Sequence, residues 1–113
     1  MWKLWLDDDS FNAEMPNRNP PIEFIAAASS EEAKSLVMEM GMPTVMDLDH
    51  DLGGNDTAMN FLHWLYNENI VDVEVIPEPP IWKIHSMNYG GGRDNIASFM
   101  MTWEKMAGSK VIR

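Results

Sequence analysis

The stretch TVMDLDHDLGG at residues 44–54 decides how this chain is read. Residues 44–49 have the character of a short strand, and the strand runs straight into Asp49, His50 and Asp51 before two glycines turn the chain. The same grammar occurs twice more. Residues 2–6 form a short, mostly apolar run stopped by Asp7, Asp8 and Asp9, and residues 81–84 form another that ends in His85 and Ser86.

Helical signals lie between these strands. Ser29 with Glu32 makes a capping box, Ala33, Leu36, Val37 and Met40 follow at helical spacing, and Gly41 with Pro43 ends the pattern. Asp56 or Thr57 can cap a second helix in which Ala58, Phe61, Leu62 and Leu65 mark one face, running to about Asn67. A last helical face is set by Ile96, Phe99, Met100 and Trp103, with a flexible turn at residues 89–92 before it and Gly108 as its stop. Residues 22–28 read as a strand. Residues 10–21, with three prolines and three asparagines, read as a loop where an α/β unit normally places a helix. Residues 71–76 alternate in a strand-like way but meet Pro77, Pro79 and Pro80, so strand and extended connection both remain open. Residues 110–113 can add a short final strand. Strands alternating with helices imply right-handed crossovers and a three-layer α/β fold, a mostly parallel sheet covered on both faces.

At 113 residues the chain is sized for one domain, 1–113, and 45% hydrophobic residues supply one modest core. Eight basic and eighteen acidic side chains leave a net charge of −10, a field that repels phosphate backbones and anionic lipids and excludes non-specific DNA binding. The absence of cysteine rules out disulfides, zinc ribbons and thiol nucleophiles. Three aspartates by residue 9 leave no room for a signal peptide, and no apolar run is long enough for a membrane, so the expected compartment is the cytoplasm. So small a free-standing protein would suit a phage or a compact bacterial operon, with the host cytoplasm as its place.

In a parallel sheet the three polar clusters, Asp7 to Asp9, Asp49 to Asp51 and His85 to Asn88, fall on one edge, where open α/β proteins bind ligands. Gathered carboxylates raise one another's pKa, and a bound cation relieves them; oxygen donors favour Mg2+, with Mn2+ or Ca2+ as substitutes. A calcium-loop reading of Asp47, Asp49 and Asp51 fails, because its sixth position is Leu52 instead of glycine and its twelfth is Ala58 instead of glutamate. His50 and His85 lack the spacing of a zinc site.

LDD after the first strand, LDHDLGG after the third, and IHSMN with GGRDN after the fourth resemble the cyclic-phosphate processing branch of the response-regulator receiver superfamily. The resemblance covers nearly the whole chain and implies a flavodoxin-like sheet of order 2-1-3-4-5, here with the first helix replaced by a loop. It implies a role in processing cyclic phosphate ends of RNA or nucleotides. Asp7 and Asp8 take the places of the receiver's metal-binding acidic pair, Asp49 that of its phosphoacceptor, and Asp51 that of a backbone-carbonyl ligand, while Gly53 replaces the usual proline. Ser86 or His85 falls where receivers keep threonine or serine, and His50, His85, Asn88, Arg93 and Asn95 match the branch's own additions. The receiver lysine has no clear equivalent, and the family's arginine after LDDx is Ser10.

The expected site therefore has Asp7, Asp8, Asp49 and Asp51 around a metal, Ser86, Asn88, Arg93 and Asn95 on phosphate, and Asp49, His50, His85 and Ser86 as the catalytic set. His85 or His50 serves as general acid or base, since an imidazole titrates near neutrality. The expected partner is a phosphate-containing small molecule or RNA end. Two other readings stand beside this one: an acidic interaction module that binds a basic protein or mimics nucleic acid, and a phosphoacceptor receiver.

Overall fold

The structure, a computed structural model, describes residues 1–8, 20–85 and 91–112. Four strands, β1 (Lys3–Leu6), β2 (Phe24–Ala27), β3 (Val45–Leu48) and β4 (Ile81–Ile84), and three helices, α1 (Ser30–Met40), α2 (Ala58–Ile70) and α3 (Gly91–Met106), follow in the order β1β2α1β3α2β4α3. The strands form one parallel sheet of order β2-β1-β3-β4.

Register decides which side chains meet. Leu4, Met46 and Trp82 lie in one row and Leu6, Leu48 and Ile84 in another, all on the same face. Leu4, Leu6, Met46 and Leu48 share a single core with Ala33 of α1, Phe61, Leu62 and Leu65 of α2, and Ile96, Met100 and Trp103 of α3. All three helices thus cover one face. The connections β2 to β3 and β3 to β4 step the same way across the sheet, so right-handed crossovers must put α1 and α2 on the same side.

This revises the expected architecture. Among the described residues there are two layers instead of three, and the loop expected over residues 10–21 in place of a first helix lies, up to residue 19, outside the described residues. Among the described residues the final segment does not join the sheet as a fifth strand. Ile76 N–H donates to Ser109 O, Gly108 N–H to Ile76 O, and Val111 N–H to Glu74 O, each at 2.8 Å, with an isolated antiparallel bridge between Val75 and Lys110. Residues 74–76 therefore take up the C-terminal segment before Pro77 ends the pairing, which also settles the strand-like alternation of residues 71–76 as a connection with one bridge.

The helix boundaries follow local chemistry. Ser29 Oγ accepts from Glu32 N–H at 3.1 Å and Glu32 reaches back to Ala28 N–H, while Gly41, at φ +84°, closes α1 on Val37 O. Thr57 sits at the N-cap of α2 without a side-chain cap bond, and the neighbouring Asp56 carboxylate accepts from Ser30 N–H at 2.8 Å and Ser30 Oγ–H at 2.6 Å at the start of α1. The second helix runs past Asn67 to Ile70. The last begins at Gly91, inside the expected turn. Among the described residues no helix is long and apolar enough to cross a membrane.

Candidate metal centre

The ladder continues one residue beyond the strands. Asp7 N–H donates to Ala27 O at 3.0 Å, Asp49 N–H to Leu6 O at 2.9 Å and His85 N–H to Leu48 O at 3.0 Å. Asp7, Asp49 and His85 consequently stand in one row at the carboxyl edge, on the face opposite the helices. Trp5, Asp47 and Lys83 form the row next to it on the same face.

Asp7 and Asp49 are buried and Asp8 is exposed, and each offers an oxygen within 4.8 Å of the others. Two buried carboxylates this close repel one another and lose hydration, so the arrangement favours a positive charge among them. Gly53 lies against the same cluster: a Cβ there would stand 3.3 Å from Asp8 Oδ2, and its φ of +87° suits glycine. The donor set is all oxygen, which fits a hard divalent cation.

His85 is held on three sides. Its Nδ1 lies 2.7 Å from Asp47 Oδ1, its Nε2 lies 2.9 Å from Asp7 Oδ2, and the Trp5 ring stacks on it at 3.9 Å with only 5° between the planes. Burial alone would push its pKa down, but the hydrogen bonds to Asp47 and Asp7, with the charges of both, raise it to about 9. At neutral pH the ring is an imidazolium that donates from both nitrogens. Both ring nitrogens are thus engaged by carboxylates, which ties the imidazole to Asp47 on one edge and to Asp7 of the acidic cluster on the other.

His50 lies half-buried with Nδ1 2.9 Å from Asp51 Oδ1. Its loop is braced by Ala58 N–H donating to His50 O, Leu52 N–H to Asp56 O and Asp56 N–H to Gly53 O. The Asp51 side chain is exposed and turned to His50, outside the group formed by Asp7, Asp8 and Asp49. Arg93 and Asn95 stand exposed in the first turns of α3. Ser86 and Asn88 lie outside the described residues. Sequence reasoning missed Asp47 and Trp5 as parts of the site. Each precedes a site aspartate by two residues, so strand alternation was the available signal: they must share its face.

The sequence matches the family of cyclic-phosphate processing receiver domains over residues 2–102, nearly the whole chain. The chain belongs to this family. No curated protein and no solved structure matches it. A cyclic-phosphate processing receiver domain is thus carried here on a parallel α/β sheet whose strand order, β2-β1-β3-β4, agrees with a receiver-like fold.

Proposed function

We propose that this cyclic-phosphate processing receiver domain is a metal-dependent phosphoesterase acting on cyclic phosphate ends of RNA or nucleotides. The observation that carries the reading is the convergence of Asp7, Asp8 and Asp49, two of them buried, with oxygens within 4.8 Å of one another. Those three residues would hold Mg2+, with Mn2+ or Ca2+ as substitutes. When bound, such a cation neutralises phosphate charge and lowers the pKa of a ligated water.

The protein's own groups have separable tasks. Asp7 and Asp49 supply ligands preset by the sheet ladder. His85 adds a fixed positive charge beside Asp7, at the edge where receivers would bring a lysine. His50, oriented through Nδ1 by the Asp51 carboxylate, is assigned as the general acid or base. Arg93 and Asn95, at the start of α3, are the phosphate-gripping candidates on described backbone, and Ser86 and Asn88 complete the set the family resemblance implies.

The test is product analysis with a 2′,3′-cyclic nucleotide and Mg2+, using wild type, Asp49→Ala and His50→Ala. Turnover by wild type, abolished in Asp49→Ala and reduced about 100-fold or more in His50→Ala, is expected. Cation-independent turnover, or turnover unchanged in Asp49→Ala, overturns the reading. Salt-sensitive binding to a basic protein with no turnover favours the interaction module.

A further inference from the structure

Among the described strand residues Asp47 is the only acid, set between Met46 and Leu48 in β3 with its side chain only 15% exposed. An acid there is costly unless paired, and its pairing is specific: Oδ1 lies 2.7 Å from His85 Nδ1. The two contacts on the imidazole complement each other. Stacking on Trp5 at 5° fixes the plane of the ring but allows it to turn within that plane. The bond to Asp47 stops that turning, and only then does Nε2 come to 2.9 Å from Oδ2 of the fully buried Asp7.

We infer that Asp47 is a positioning residue for the cation site, acting through the His85 ring to hold the Asp7 carboxylate in its ligating orientation. The inference rests on the reading of Asp7, Asp8 and Asp49 as cation ligands. Outer partners that orient a ligand commonly change metal affinity by about 10–100-fold when removed, although they never touch the ion.

The experiment titrates Mn2+ into wild type, Asp47→Ala and Asp47→Asn, and records the His85 ring nitrogens of each by NMR without added metal. Asparagine keeps an acceptor oxygen for Nδ1–H, and alanine does not. Affinity about tenfold or more weaker in Asp47→Ala, with displaced His85 ring shifts, and both properties largely retained in Asp47→Asn, is expected. Wild-type affinity in Asp47→Ala, or an equal loss in both variants, overturns the positioning role while leaving the ligand set standing. Absence of Mn2+ binding by wild type brings down the ligand reading itself, and this inference with it. Should Asp47→Ala fail to fold, Asp47→Leu, apolar and of similar volume, takes its place; if that also fails, Asp47 is a folding residue and the inference is overturned.

Discussion

His85 shows how a single ring takes its character from its neighbours. An imidazole buried alone loses its proton more easily, yet two carboxylates on opposite edges outweigh that tendency and lift its pKa to about 9 from the ordinary 6.5. A group raised on folding stabilises the protein fully below its unfolded value and loses that contribution as pH rises through its folded value. Chelator-treated protein should therefore show both His85 ring nitrogens protonated at neutral pH, a titration midpoint near 9, and a melting temperature that falls as pH climbs from 6.5 through 9. Nitrogen-15 NMR of the ring checks it, and a midpoint near 6.5 would contradict the two-carboxylate clamp. The candidate ligands themselves were legible in the sequence, because Asp7, Asp8 and Asp49 directly follow apolar strands and must project at the sheet edge. Asp47 and Trp5 were not. Their importance depends on which residue of another strand stands beside them, and register is a long-range fact that local composition does not carry.

Asp56 ties one element to the next. Its carboxylate sits at the N-terminus of α1, where it accepts from the Ser30 N–H and hydroxyl, and it also accepts from Asn60 Nδ2 at 2.9 Å in α2. Burial pushes its pKa up, but those hydrogen bonds and one from Thr57 N–H outweigh burial and hold it below 3.8. Asp56→Ala should destabilise the protein by about 1–2 kcal/mol, as other cap losses do. Because the folded pKa is lowered, the contribution is present above the unfolded value and disappears as pH falls through the folded one. The stability gap between wild type and variant, measured by urea unfolding, should be full at pH 6 and close below about pH 4; a gap independent of pH would mean that lost packing, not the charged cap, is responsible. Elements governed by local chemistry were readable: α1 by its capping box and Gly41, and β4 at Ile81–Ile84 between prolines and His85. The C-terminal segment was misread as a sheet strand, since nothing local distinguishes pairing with residues 74–76 from pairing with the sheet.

Among the described residues, strand order and crossover hand bring the helices to one face of the sheet, and Trp5, Asp47, Lys83 and the row of Asp7, Asp49 and His85 lie on the other. The acidic cluster and its histidine thus sit on the sheet face opposite the helices, beside the buried Trp5. A chain with a net charge of −10 that also buries two neighbouring carboxylates gains stability from any cation that binds only the folded form. The chain belongs to the cyclic-phosphate processing receiver family, and its Asp47, His85 and Asp7 side chains form a hydrogen-bonded chain that ends on a buried carboxylate of the candidate cluster. The most direct measurement is isothermal titration of Mg2+ into wild type and Asp49→Ala. Saturable one-site binding by wild type that is lost in the variant is the predicted result. No saturable binding by wild type, or the same affinity in both proteins, would contradict a metal centre built on Asp7, Asp8 and Asp49.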